Sequence, residues 1–183
     1  DVLPQILGAH EKAPELLETD YFQRCEQVAR LIFGNDVKFR GGHMILKPAE
    51  YGSPTPWHQD QAYHDPNYFY RNVNFWLPLQ DATIESGCMQ FVRRSHLGPV
   101  VPHTFLNDDP NAATVAQDQN YWTANATPVP CPRGSVTLHH SYCLHYAGPN
   151  TTDVPRRALI FVFVLPPEPL ERPWIFPWQQ KHQ

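Results

Sequence analysis

Proline is the residue that most limits how this chain can fold, because 20 of its 183 residues are prolines. Proline lacks a backbone N–H and clashes with the preceding helical turn, so long helices are disfavoured at this density. Hydrophobic residues still make up 42% of the chain, which is too apolar for a disordered protein. The length suits one hydrophobic core. We therefore expect one folded domain built from short strands, turns and extended loops.

One segment has the pattern of a helix. Between Pro14 and Phe33 apolar residues recur at spacings of three and four, and Gly34 follows as a helix stop. Beyond it, short segments with a period of two predict strands, separated by proline and glycine. The predicted strands are 37–40, 43–47, 72–79, 88–92, 135–138 and 157–165. Strands at this spacing indicate a sandwich or barrel.

These elements predict a single domain over residues 1–183. Residues 1–35 would form a helical flank, residues 37–165 the β core, and residues 166–183 a proline-rich tail laid along the surface. The polar stretch 107–126 is long for a connection, which favours a loop near the substrate entrance.

The charge and cysteine content exclude several classes of protein. The net charge of -4 leaves no broad basic surface for phosphates or anionic lipid, so we expect neither nucleic acid nor membrane as a partner. The 4 cysteines are scattered without a CxxC pair, which favours free thiols and the cytoplasm. The first ten residues lack the features of a secretory signal, and a start at Asp1 suggests a trimmed chain.

A short motif supplies two candidate metal ligands. His58 and Asp60 follow a turn-rich segment, and in an extended chain residues i and i+2 point to the same side. An imidazole and a carboxylate, joined by one more histidine, form the facial triad of non-haem iron oxygenases. Taken alone, this triplet is more often a histidine that caps a turn beside a solvated aspartate.

A second motif carries a histidine and an arginine. A predicted strand leads towards His145, a Gly-Pro-Asn turn reverses the chain, and Arg156 and Arg157 open the next strand. An imidazole and a guanidinium on neighbouring antiparallel strands can face one cavity. The planar guanidinium pairs with a carboxylate through two hydrogen bonds, as the distal carboxylate of 2-oxoglutarate would require. Strand parity does not choose between Arg156 and Arg157, because both registers of that strand are apolar.

Together these segments resemble the phytanoyl-CoA dioxygenase family of iron and 2-oxoglutarate-dependent oxygenases. The matching elements are the strand at 44–48, the motif at 57–60, Trp76, the stretch 86–96 and the unit from His145 to Arg156. The resemblance implies a mainly β, double-stranded β-helix (a cupin-like jelly roll) with a flanking N-terminal helix. It also implies that His58, Asp60 and His145 bind Fe(II).

The resemblance further implies a co-substrate pocket. Arg156 would hold the distal carboxylate of 2-oxoglutarate, as the family spacing favours it over Arg157, and Trp76 would pack beside it. Strand parity places Asn74 on the same face as Trp76, and His43 begins a strand that lines this pocket in the family, so both are candidate cofactor contacts. The other histidines, including His139, are expected to be ordinary hydrogen-bonded or surface imidazoles.

The chain departs from the family in several places. Ala147 stands where members often carry a hydroxyl residue, Arg93-Arg94 replaces a Pro-Gly pair, and the expected N-terminal helices and first strands are largely absent. The chain is therefore expected to be incomplete. Asp60 argues against the related halogenases, which have alanine at this position.

The expected activity is that of a dioxygenase using Fe(II), 2-oxoglutarate and O2. It would hydroxylate an unactivated C–H bond of a small organic or lipid-like substrate, releasing succinate and CO2. Two alternatives remain open: a jelly-roll Zn or Mn hydrolase or isomerase in which Arg156 anchors the substrate, and a catalytically silent cupin-like binding module. The sequence does not determine the substrate, the choice between hydroxylation and desaturation, epoxidation or cyclisation, or the oligomeric state.

Overall fold

A computed structural model describes residues 4–109 and 112–180. The strands in this part of the chain are, in order, β1 (Gln5–Leu7), β2 (Lys38–Lys47), β3 (Thr55–His58), β4 (Tyr68–Phe69), β5 (Asn72–Pro78), β6 (Met89–Val92), β7 (His103–Phe105), β8 (Thr114–Ala116), β9 (Ala126–Val129), β10 (Thr137–His139), β11 (His145–Ala147), β12 (Arg156–Val164) and β13 (Glu168–Pro169). The α-helices are α1 (Ala9–Lys12), α2 (Asp20–Phe33) and α3 (Gln119–Ala124). Short 3-10 helices cover Pro14–Glu18, Asp60–Tyr63, Ser95–Leu97, Leu106–Asp108 and Pro177–Gln179.

Two antiparallel sheets form the core. One sheet has the strand order β1-β2-β12-β5-β10 and the other has the order β3-β11-β6-β9. Side chains from both sheets meet in one apolar cluster, which includes Trp76 and Ile160 from the first sheet and Met89 and Ala147 from the second. This architecture confirms the prediction of a mainly β jelly roll.

The predicted N-terminal helix is shorter than the apolar spacing indicated. Its α-helical part begins at Asp20, because Thr19 has an extended backbone and its side chain accepts a hydrogen bond from Phe22 N, which caps the helix. The preceding residues Pro14–Glu18 form a 3-10 helix instead. Cys25 and Ala29 are the buried residues of α2, and they pack against the outer face of the larger sheet.

The strand β2 is continuous where two strands were predicted. Its register against β12 shifts between Val162 and Phe163, so Arg40 is the extra residue of a bulge, and the glycine pair that separated the predicted strands stays paired with β12. Gly42 lies so close to the neighbouring strand that a Cβ atom would approach the carbonyl oxygen of Ile160 to 2.9 Å. The glycines therefore allow close strand packing and do not end the strand.

Three elements fall where the sequence predicted other structure. The strand β1 lies in the flank that was predicted to be helical, and it pairs with β2. The stretch 107–126, predicted as a loop, contains β8 and α3, although residues 110 and 111 lie outside the described residues. Within α3, Gln119 hydrogen-bonds both the N–H and the C=O of Trp57, so this segment supports β3 and does not line the cavity described below.

The tail is described up to Gln180, and most of its residues are exposed or partly exposed, whereas Phe176 is buried. It is also fixed to the core, because β13 pairs with β4 and Trp178 Nε1 donates a hydrogen bond of 3.0 Å to the Ala62 carbonyl. Among the described residues, no helix combines the length and the apolar character needed to cross a membrane.

Candidate metal centre

Two histidines come together because their strands are neighbours. The strands β3 and β11 pair so that His58 lies directly opposite His145, and the two ring centroids are 4.1 Å apart. Each Nδ1 faces a backbone carbonyl two residues earlier: His58 faces Pro56 at 2.8 Å and His145 faces Cys143 at 2.9 Å. A carbonyl accepts a hydrogen bond from Nδ1–H, so each Nδ1 carries the proton and each Nε2 is left with an electron pair to donate.

Asp60 completes this cluster from the 3-10 helix that follows β3. Its Oδ1 lies 3.5 Å from His58 Nε2 and 3.8 Å from His145 Nε2. One donor atom from each of the three residues lies within 4.8 Å of the others. The structure thus brings the three predicted ligands together, and this donor set suits a non-haem iron ion.

The charges of this cluster also suit a metal ion. Burial, together with the neighbouring imidazoles, lowers the pKa of His145 well below its usual value, so this ring is neutral at pH 7. Burial alone would raise the pKa of Asp60, but the neighbouring His145 and His58 hold it well below its usual range. Burial acts to lower the pKa of His58, but the hydrogen bond and charge of Asp60, together with the Pro56 carbonyl, raise it above its usual value. The site therefore offers an ionised carboxylate beside a neutral imidazole.

Arg156 opens β12 and is only 1% exposed. Its guanidinium carbon lies 5.3 Å from the centre of the Trp76 ring, and its Nε and Nη1 have no hydrogen-bond partner among the described residues. Burial lowers its pKa to about 10, so it remains charged at neutral pH. A buried cation with unpaired N–H groups is costly unless an anion binds there. Arg157 is exposed, and its backbone pairs with the side chain of Gln80.

All seven predicted site residues line one cavity of about 280 Å³. Its lining includes the metal cluster together with His43, Asn74, Trp76 and Arg156. Asn72 also lies in this wall, whereas Val73, Phe75 and Leu77 lie in the helix-side core. The prediction that strand parity turns the polar face of β5 towards the cavity is confirmed.

His139 is a site residue that the sequence analysis did not identify. It is a hydrogen-bonded imidazole outside the metal cluster, but it lies in the cavity wall and is only 8% exposed. Its Nε2 is 3.8 Å from Asp60 Oδ2, and its ring centroid is 4.4 Å from that of His145. The predicted strand ended at residue 138, one residue too early. Extending the alternation by one position would have placed His139 on the cavity face, beside Thr137.

Lys47 is a second unpredicted feature. It is fully buried, and its Nζ donates hydrogen bonds to the carbonyl oxygens of Ser53, Ala147 and Gly148 at 2.6, 3.1 and 2.7 Å. Burial, together with the charge of Arg156, lowers its pKa to about 7. These bonds fix the turn that follows His145 to the end of β2.

Comparisons with known proteins agree with this geometry. The family model described as phytanoyl-CoA dioxygenase (PhyH) matches residues 6–158. A probable alpha-ketoglutarate-dependent hypophosphite dioxygenase of Stutzerimonas stutzeri is 29% identical over 152 residues, which are 77% of this chain and 51% of that protein. The chain spans about half the length of the curated relatives it matches.

Two solved structures in complex with 2-oxoglutarate are also similar to this chain. The crystal structure of EvdO2 from Micromonospora carbonacea var. aurantiaca, complexed with 2-oxoglutarate, has a TM-score of 0.91 and 40% identity, covering 98% of this chain and 74% of that one. The epimerase SnoN, in complex with Fe3+, alpha ketoglutarate and nogalamycin RO, has a TM-score of 0.71 and 25% identity, covering 90% of this chain and 64% of that one. Because the family model spans most of the jelly roll, including the metal cluster and Arg156, the chain belongs to the phytanoyl-CoA dioxygenase family.

Proposed function

We propose that this chain is a non-haem Fe(II)- and 2-oxoglutarate-dependent dioxygenase in which His58, Asp60 and His145 hold the iron. One observation carries the proposal: the three converging donor atoms share a cavity with a buried arginine whose Nε and Nη1 have no partner among the described residues. A facial metal site and a receptor for a carboxylate are the two features that 2-oxoglutarate requires. When bound, iron and 2-oxoglutarate supply the activation of O2, coupled to the release of succinate and CO2.

The residues of the chain bind the metal and 2-oxoglutarate and orient them. The carbonyls of Pro56 and Cys143 fix the rings of His58 and His145, so that their Nε2 atoms face the cavity. Arg156 receives the distal carboxylate of 2-oxoglutarate, and Trp76 packs against the guanidinium. His43 and Asn74 remain predicted cofactor contacts. Placement on the cavity wall supports both assignments.

The substrate is proposed to be a small organic or lipid-like molecule that is hydroxylated at an unactivated C–H bond. Ile45, Met89, Ile160 and Val162 give the cavity an apolar wall, which suits a hydrocarbon portion of such a substrate. We also propose that the chain folds as a single domain and acts in the cytoplasm without nucleic-acid or membrane partners. Four free cysteines, three of them buried, support the location.

A zinc or manganese hydrolase is the second candidate, since two imidazoles and a carboxylate also suit these metals. The unpaired Nε and Nη1 of Arg156 favour the oxygenase, because an anion receptor beside the metal serves a chelating keto acid. A catalytically silent binding module would keep the same geometry without turnover.

Anaerobic addition of Fe(II) and then 2-oxoglutarate to the apoprotein tests the proposal. We expect a visible charge-transfer band, and succinate when O2 and a substrate are admitted. Retention of zinc with no such band would favour the hydrolase. A band without succinate across substrate classes would favour the silent module.

A further inference from the structure

The two oxygens of Asp60 have different surroundings. Oδ1 faces the Nε2 atoms of His58 and His145 at 3.5 and 3.8 Å. Oδ2 accepts a hydrogen bond from the side-chain amide of Asn74. The carboxylate is therefore held in one orientation, with a single oxygen turned towards the imidazoles.

The Asn74 amide nitrogen also faces His139. Asn74 Nδ2 lies 3.4 Å from His139 Nε2, in addition to its bond with Asp60. An amide nitrogen has two hydrogens and accepts none, so one N–H points at Asp60 Oδ2 and the other at His139 Nε2, which must accept. The reversed amide would turn its oxygen towards an ionised carboxylate.

The backbone register preorganises this pair. The strands β5 and β10 are paired so that Asn74 lies directly opposite His139. The imidazole is further packed against Phe91, with a ring-centroid distance of 5.5 Å. Cross-strand partners on one face lie close together without any loop rearrangement.

His139 carries a cost that an apolar residue would avoid. Its Nδ1 is buried and has no hydrogen-bond partner among the described residues. Since Nε2 must accept, Nδ1 carries the proton, and a buried N–H without a partner destabilises a fold. Packing therefore does not account for a histidine at this position, whereas the orientation of Asn74 does.

We propose that Asn74, oriented by His139, is a positioning residue that keeps Asp60 a one-oxygen metal ligand. This inference depends on the proposed function. A carboxylate with both oxygens free can chelate a metal through both. An octahedral ion held by two imidazoles and one carboxylate oxygen keeps three positions, two for a chelating keto acid and one for O2. A second bond from Asp60 would occupy one of them.

The test measures metal affinity and 2-oxoglutarate affinity separately, with Co(II) as the metal and anaerobic titration as the assay. For Asn74→Leu we expect Co(II) affinity to be unchanged or tighter, because Asp60 gains a second bond. We expect 2-oxoglutarate affinity of the Co(II)-loaded protein to fall by about 10-fold or more. His139→Phe should shift both affinities in the same directions by a smaller factor. His139→Gln should restore the wild-type values, because the Gln carbonyl can accept from Asn74.

His64→Leu is the matched control, since His64 lines the same cavity but hydrogen-bonds Gln61. Its Co(II) affinity should equal that of the wild type. Parallel loss of Co(II) and 2-oxoglutarate affinity in Asn74→Leu would overturn the proposal, because that result indicates general loosening of the site. Wild-type 2-oxoglutarate affinity in His139→Phe would overturn it as well, because a loss confined to Asn74→Leu indicates direct contact between Asn74 and 2-oxoglutarate. Should Asn74→Leu fail to fold, the two His139 variants decide. If the wild-type protein binds neither Co(II) nor 2-oxoglutarate, the proposed function itself fails.

Discussion

The two faces of the five-stranded sheet are made by alternate residues of the same strands, yet they differ in how well their side chains are matched. On the helix side, Phe75, Phe161 and Phe163 are fully buried, and Phe75 packs edge-on against Phe163 with a centroid distance of 5.5 Å. On the cavity side, polar atoms of Arg156 and His139 are buried without hydrogen-bond partners among the described residues.

This difference between the two faces means that one set of residues stabilises the fold and another is suited to binding a ligand. Aromatic side chains packed at native density stabilise the fold, and each contributes several kcal/mol. Buried polar atoms without partners act in the opposite direction, by about 1 to 3 kcal/mol each. The helix side thus provides the stability that allows the cavity side to keep groups suited to a ligand.

The largest expected effect is that of a substitution at the metal centre, which should abolish activity without unfolding the protein. Asp60→Ala should lower hydroxylation activity by about three orders of magnitude or more, because the metal loses its only anionic ligand in the proposed triad. The protein should remain folded, since the Asp60 side chain is 25% exposed and contributes little packing. Metal content and circular dichroism check both points. Loss of folding would show that the metal is structural and would remove the distinction between the faces.

The second prediction addresses the opposite face. Phe161→Ala should lower the free energy of unfolding by about 3 to 5 kcal/mol, because it leaves a cavity among fully buried aromatic rings. Metal affinity of the molecules that remain folded should stay at the wild-type value. Urea unfolding and Co(II) titration at low temperature measure the two quantities. A parallel fall in metal affinity would contradict the independence of the faces.

The third prediction compares neighbouring arginines. Arg156→Lys should raise the 2-oxoglutarate KM by about 10- to 100-fold, because an ammonium cannot donate two parallel hydrogen bonds to a carboxylate. Arg157→Lys, on the exposed side of the same strand, should leave KM unchanged. Succinate release against 2-oxoglutarate concentration measures both values. Equal effects from the two substitutions would refute the assignment of Arg156 to the co-substrate.

The smallest expected effect concerns a polar atom outside the cavity lining. The Thr137 hydroxyl is buried without a partner among the described residues, but Thr137 does not line the cavity. Thr137→Val should therefore stabilise the fold by about 1 kcal/mol and leave 2-oxoglutarate binding unchanged. Thermal unfolding with and without 2-oxoglutarate checks this. Weaker binding would show that the unpaired hydroxyl also belongs to the ligand site.

Local patterns predicted the features that depend on neighbouring residues in the chain. The alternation along β5 placed Asn74 and Trp76 correctly, because side-chain direction in a strand depends only on parity. The i, i+2 relation brought His58 and Asp60 together even though Asp60 begins a 3-10 helix. The choice of Arg156 over Arg157 needed the family resemblance, since both registers of β12 are apolar.

The features that the sequence did not predict depend on contacts between different segments of the folded chain. The strand β1 has three residues, too few for a periodic pattern, and it forms because β2 offers a free edge. The helix α3 has six residues and follows Asp118 in a left-handed conformation, which no spacing signals. His139 was missed through a one-residue error in a strand end. Nothing local indicates that Lys47 Nζ meets two carbonyls of the distant turn after β11 in addition to that of Ser53.

The buried side chain of Lys47 also affects how molecules enter and leave the cavity. Because it joins the loop before β3 to the turn after β11, the two cannot separate without breaking three buried hydrogen bonds. That side of the barrel is therefore rigid. Tyr63, on the far side of the ligand motif, is 48% exposed although it lines the cavity. Molecules entering or leaving should therefore pass the tyrosine, and selection by size should be sensitive to the bulk of that one ring.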